Sequence, residues 1–228
     1  MTRRRMSVAL VVLVLLGTPW ADAAAQRTAA EVAATRQRAE QGDAFAQYNL
    51  GIMHRTGQGV PQDAVEALKW LNLAADQGAA SAQSSLGDMY SLGEGVPEDD
   101  VEGARWYRLA ADQGWAGAQS NLGAMYRNGE GVPQDYVEAL RLYRLAADQG
   151  NVFGQHNLGY MYTNGVGVPQ DYVEAHKWAN LAAARATGDD REQIAEFLDS
   201  LAKLMTPAQL AEAQRLAKDW QAVFDAPS

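Results

Sequence analysis

The residues able to do chemistry are few and scattered. Three histidines, His54, His156 and His176, fall at intervals that make no metal-ligand set, and the chain has no cysteine. Disulfides, thiolate catalysis and Cys-based metal sites are thereby excluded. Four glycine-rich runs have the look of phosphate-cradling loops: GQGVPQD from Gly57, GEGVPED from Gly93, GEGVPQD from Gly129 and GVGVPQD from Gly165. None is followed by the Gly-Lys-Ser/Thr that such a loop needs. Acidic pairs such as Asp99-Asp100 sit where helices begin, so the helix dipole accounts for them. Neither G-x-S-x-G nor H-E-x-x-H is present. The sequence assigns no catalytic residue, no metal ligand and no cofactor.

What the glycine runs do have is a period. Each begins 36 residues after the last, and the pairs Leu50-Gly51, Leu86-Gly87, Leu122-Gly123 and Leu158-Gly159 keep the same step. Four copies therefore run over 42–185. Each predicts two helices. In copy one the first spans about Ala44 to His54, with Ala46, Leu50 and Met53 on one face. Gly57 and Gly59 can take positive φ and reverse the chain. Asp63 then sits at an N-cap with Glu66 three residues on, an acidic form of the capping box; Asp99/Glu102, Asp135/Glu138 and Asp171/Glu174 repeat it. The second helix places Ala67, Trp70, Leu73 and Ala74 on its buried side. Ala74 and Ala75 allow close approach, and Trp70, Trp106 and Trp178 fill the space between helices.

The ends differ from the copies. Arg3, Arg4 and Arg5, the apolar run Val8 to Leu16 and the alanines at 21–25 have the pattern of an export signal over 1–25. A cleaved leader and a periplasmic or secreted protein are expected, with no membrane insertion after cleavage. No cysteine follows the run to carry a lipid. Glu31 to Gln41 looks like a lone second helix, so 26–41 is expected to cap the first copy. Asp189 with Glu192, and Thr206-Pro207 with Gln209, look like two further helix starts. Ile194 and Phe197 fall where Leu158 and Met161 would recur, so 186–228 reads as a degenerate fifth pair that closes the open core.

The formal charge is −9, and becomes −11 for 26–228 because residues 1–25 carry three Arg and one Asp. Such a chain repels nucleic acid and anionic lipid. The expected partner is a protein or peptide, and the expected state is a monomer.

The run A-Q-x-x-L-G-x-M-Y-x-x-G-x-G-V-P-Q-D-Y-x-E-A-x-x-W, carried by Gln155 to Trp178, resembles the Sel1-like repeat, a relative of the tetratricopeptide repeat. Met205 to Trp220 is similar to the tails of bacterial Sel1-like proteins. The resemblance implies an all-α, right-handed α/α solenoid of antiparallel helix pairs that binds partners; it implies no single activity.

Comparing the copies with one another separates folding from binding. Fifteen of 36 columns are identical in all four copies, as packing, turns and caps demand. The most variable columns of the first helix hold Phe45, Tyr48, Ile52 and Arg55, a continuous stripe distinct from the core face. Copy two has Ser81, Ser84, Asp88 and Ser91 there; copy three has Gly117, Ser120, Ala124 and Arg127; copy four has Phe153, His156, Tyr160 and Thr163. In tetratricopeptide-type repeats the matching columns line the concave groove. The candidate groove is therefore Phe45, Tyr48, Ile52, Arg55, Asp88, Arg127, Phe153, His156 and Tyr160. Its ends are aromatic and its middle small and polar, which suits an extended or helical segment anchored by rings.

The function expected is a non-catalytic scaffold or adaptor of the bacterial cell envelope. Two other readings compete. An enzyme acting on cell-wall material or β-lactams is suggested by cysteine-rich relatives, whose cysteines this chain lacks. A self-assembling structural module follows if an end cap is imperfect.

Overall fold

A computed structural model of the protein describes residues 19–226, with side chains from residue 29 onward. Residues 3–5 and 8–16, on which the export signal rests, lie outside that description. Eleven helices and no strand occur among the described residues: α1 (Pro19–Glu40), α2 (Ala44–Thr56), α3 (Ala64–Asp76), α4 (Ala80–Leu92), α5 (Asp100–Asp112), α6 (Ala116–Asn128), α7 (Tyr136–Asp148), α8 (Val152–Asn164), α9 (Tyr172–Arg185), α10 (Gly188–Ala202) and α11 (Pro207–Phe224). Each helix packs on the next from α1 to α10, so α2/α3, α4/α5, α6/α7 and α8/α9 form four stacked pairs of a solenoid.

Short local signals set the helix ends. Gly57, Gly93, Gly129 and Gly165 end the first helices at φ +74°, +66°, +77° and +65°, a region nearly closed to residues with a Cβ. Asp63, Asp99, Asp135 and Asp171 cap the second helices by accepting from their N-terminal backbone N–H groups.

The glutamates do not close a capping box. The N–H of each capping Asp donates instead to the preceding helix, as Asp63 does to the His54 carbonyl at 2.8 Å. Glu66 turns along its own helix and accepts from Trp70 Nε1 at 2.8 Å and Lys69 Nζ at 3.1 Å. A box with both arms present is found at Thr206/Gln209. At the other expected C-terminal start, Thr187 occupies the N-cap and Asp189 already lies in the first turn of α10.

The core is the seam between helices. Leu50, Leu86, Leu122 and Leu158 are buried, as are Trp70, Trp106 and Trp178. Leu73 is not a core residue: it is 41% exposed, and Leu71 fills the core in its place. Leu109 and Leu145 stand equally exposed in the same column, whereas Leu181 is 3% exposed because α11 covers it.

A second seam is polar. Gln47, Gln83 and Gln119 each donate to a carbonyl at the end of the preceding helix: Ala39, Ala75 and Ala111. Each accepts from a glutamine at the end of its own second helix: Gln77, Gln113 and Gln149, at 2.7, 2.7 and 2.8 Å. The chain of amides satisfies buried polar groups and fixes copy against copy.

The amide chain stops at copy four, where Arg185 replaces the donor glutamine. Gln155 Oε1 is left buried without a partner, and Arg185 lies over the rings of Trp220 and Phe224 instead. α10 and α11 do not extend the register of the copies. Both pack on α9, and Trp220 meets Trp178 edge-on at 5.9 Å.

Candidate partner-binding groove

First helices of successive copies approach one another, α4 to α6 and α6 to α8, more closely than second helices do. The more crowded side of a curved stack is its inner side, so the first helices line the concave face. The variable stripe lies on the side of those helices turned away from the core leucines: its columns stand two and five residues from them, about 140–160° around the helix.

The stripe is not uniform. Phe45, Phe153 and Tyr160 are exposed, at 66%, 56% and 44%. Tyr48 and Ile52 are half-buried and line a pocket with Val32 and Thr35 of α1. Ser84 and Ser120 are buried and offer no contact surface. His156 is tucked under α10, its ring edge-on to Phe197 at 5.5 Å. Burial, then the charge of Arg127, hold its imidazole below the usual value against the opposing pull of Asp190.

Arg55 and Asp88 are joined across copies one and two. The Arg55 guanidinium meets Asp88 Oδ2 at 3.3 Å and Glu94 Oε2 at 2.7 Å. Burial alone would lower its pKa; Glu94 and Asp88 outweigh that and raise it. Asp88 Oδ1 in turn accepts from Tyr107 Oη at 2.8 Å and from Asn121 Nδ2 at 3.3 Å. This network ties three copies together along the groove floor and leaves Asp88 no free oxygen to offer.

Arg127 is differently placed. Its Nη1 donates to Asn157 Oδ1 at 2.7 Å, its Nε to Asn128 Oδ1 at 3.1 Å, and its charge lies 5.8 Å from the Tyr160 ring centre. Arg127, Asn128 and Tyr160, with Gln134, Tyr136 and Val166, line an open pocket of about 630 Å³. Asn128, Gln134, Tyr136 and Val166 were missing from the sequence-derived stripe, which was confined to the first helices. The turn column Gln58, Glu94, Glu130, Val166 varies as much as the stripe does, and that variation was the available signal.

Other chemistry-bearing residues stay apart. His54 is buried in the column of Tyr90, Tyr126 and Tyr162, and His176 is buried on α9. No cluster of three or more metal-ligating side chains occurs among the described residues. Ser200 and Lys203 have an S-x-x-K spacing. Both are exposed, and Ser200 Oγ donates back to the Glu196 carbonyl at 2.9 Å, without a base to activate it.

Stacked helix pairs with a groove of variable residues and a core of invariant ones define a helical-repeat solenoid, a fold typical of protein–protein interaction scaffolds. The Sel1 repeat family matches residues 44–78, 80–115, 116–151 and 152–186, and the chain belongs to that family. Two of the solved structures that resemble it are more than a third identical to it over the matched regions. The protective antigen c5321 of uropathogenic Escherichia coli, which displays an SLR fold, is 35% identical with a TM-score of 0.68 over 86% of this chain. A Sel1 repeat protein from Oxalobacter formigenes is 37% identical with a TM-score of 0.63 over 73%. The chain spans 43% and 48% of those proteins, so each is about twice the length of the matched region. Immunity protein Pa5087 of Pseudomonas aeruginosa, 22% identical with a TM-score of 0.51 over 91% of this chain and 81% of its own, shares the fold. Comparison with curated proteins gave no match. Sel1 repeats commonly mediate protein interactions, and the family is generally non-catalytic. Among the described residues no helix is long and apolar enough to cross a membrane.

Proposed function

We propose that the protein is a non-catalytic adaptor of the bacterial cell envelope, exported to the periplasm or beyond, that holds a segment of a partner protein in its concave groove. The observation that carries this reading is the coincidence of variation and exposure. The columns that differ between copies supply Phe45, Phe153 and Tyr160 to the open inner face, while the invariant columns are spent on core, turns and caps. Exposed rings on a rigid concave surface are the usual anchors of protein interfaces.

Photo-crosslinking tests it in the native host, with the crosslinking residue at Tyr160 and a control at Lys69, on the second helix and exposed. The expected result is one discrete protein adduct from Tyr160 and none from Lys69. Equal labelling at both sites, or none in cells rich in the protein, overturns the assignment. Signal cleavage is read separately, by N-terminal sequencing of the protein recovered from the periplasm; an intact leader there refutes export by cleavage.

A further inference from the structure

We infer that the pocket between copies three and four takes the carboxylate side chain of an acidic residue in the partner segment, paired to Arg127. This rests on the groove reading above and gives it a chemical class.

Arg55 and Arg127 occupy the same column, two copies apart. The carboxylates of Asp88 and Glu94 neutralise Arg55 within the chain. At the positions two copies beyond Asp88 and Glu94 stand Tyr160 and Val166, and both line the pocket beside Arg127. The same arginine is thus kept while its two internal counter-ions are replaced by a ring and an aliphatic side chain.

Among the described residues, no carboxylate lies within 4.0 Å of the Arg127 guanidinium, and its second terminal nitrogen makes no hydrogen bond. Its donors reach only neutral amide oxygens. A half-buried guanidinium with vacant donors, flanked by the Tyr160 ring and the Asn128, Gln134 and Tyr136 side chains, matches a planar carboxylate with an apolar neighbour.

A side chain fits better than a chain terminus. Separate depressions lie to either side of it along the stack, one bordered by Phe153 and His156 and one by Asn121, Ala124 and Met125, and a segment that passes through the pocket can reach both whereas a terminus ends in it. The overall charge of −9 opposes an acidic partner at long range. That field fades over a Debye length of about 8 Å at physiological salt, and contact with Arg127 decides the close approach.

The test is selection from a random peptide library, each peptide embedded at both ends in a carrier so that it has no free terminus. The baits are the purified wild-type protein, Arg127→Glu, Phe153→Ala, and Tyr160→Asp/Val166→Glu, which restores the acid pair of copy two. Circular dichroism confirms that each variant keeps its helices. The wild type is expected to enrich Asp or Glu at one position. The enriched peptide is expected to bind about tenfold more weakly to Arg127→Glu and to the double variant. Enrichment without acidic residues, or affinity unchanged in both variants, overturns the pairing. If neutral peptides emerge whose binding falls with Phe153→Ala, the groove reading stands and the carboxylate does not. If no peptide depends on the groove residues, both fall.

Discussion

Arg105 holds both carboxylate oxygens of Glu102, at 2.9 and 2.6 Å, and so denies the neighbouring Trp106 indole N–H its acceptor. In copies one and four a lysine stands in that column, and the equivalent glutamates accept from Trp70 and Trp178 Nε1 at 2.8 and 2.9 Å. A lysine is a point charge that leaves the carboxylate free to turn; the arginine fork fixes both oxygens. Copy three also has the fork, Arg141 on Glu138, but Leu142 stands there in place of tryptophan and nothing is orphaned. Arg105→Lys is therefore expected to stabilise the protein by about 1 kcal/mol, by giving a buried N–H its partner. Urea unfolding measures it. A midpoint that falls with Arg105→Lys refutes this account of the pair.

The C-terminal helix is held by stacked rings rather than by repeat register. Trp220 meets Trp178 at 5.9 Å, stacks on Phe224 at 4.8 Å and lies under Arg185 at 5.2 Å. Trp220→Ala is expected to cost about 2 kcal/mol, less than a fully buried tryptophan because the ring is half-exposed. Proteolysis is expected to release α11 first. Simultaneous loss of all helices at unchanged midpoint is the contrary result.

Stability is expected to fall at both ends of the pH scale, for opposite reasons. Burial holds the His156 and His176 imidazoles below the usual value, with Arg127 adding to the effect at His156. The unfolded chain takes up protons near pH 6.5 that the folded chain refuses, so their contribution is present above that pH and is lost as acid is added. His156→Gln with His176→Gln should flatten the decline between pH 7 and 5. Glu66, held low chiefly by Lys69, belongs to a more acid window.

In alkali the buried Tyr143 hydroxyl, pushed up to about 12, keeps its proton after the unfolded chain has lost its own at pH 10. Stability should then drop by about 1.4 kcal/mol per pH unit between those values. Burial, reinforced by Asp88, raises Tyr107 as well. Because Tyr143 Oη has no hydrogen-bond partner, Tyr143→Phe should soften this drop and raise stability at neutral pH.

The two kinds of turn glycine are expected to respond differently to alanine. Gly114 has φ +85° and open space around it, so Gly114→Ala costs only the left-handed backbone, about 1 kcal/mol. At Gly131 a Cβ would fall 2.1 Å from the Asp100 carbonyl oxygen of the preceding copy. Gly131→Ala must push two copies apart and should cost well over 2 kcal/mol. Equal midpoints for the two variants would show that the contact between copies yields easily.

Much of this architecture is written locally and repeated, and that is why the sequence discloses it. A glycine that ends a helix, an aspartate that starts one and a leucine every 36 residues act over a few neighbours, so their types alone predict eight helices and the period that stacks them. The variable stripe was legible as variation, because four copies in one chain show which columns differ, but not as exposure: Ser84 and Ser120 of that stripe are buried and His156 packs under α10.

Partner choice inside the fold was not legible. The sequence placed Glu66 at a capping box, but Trp70 and Lys69 compete for the same carboxylate and win. It placed Leu73 in the core, where the rotation of the helix admits Leu71. It set Arg55 and Arg127 in one column without showing that Asp88 and Glu94 satisfy the first and that Tyr160 and Val166 leave the second without a counter-ion. Pairings of that kind depend on distances of a few ångströms between side chains about thirty residues apart, and only the stacking of the copies fixes them.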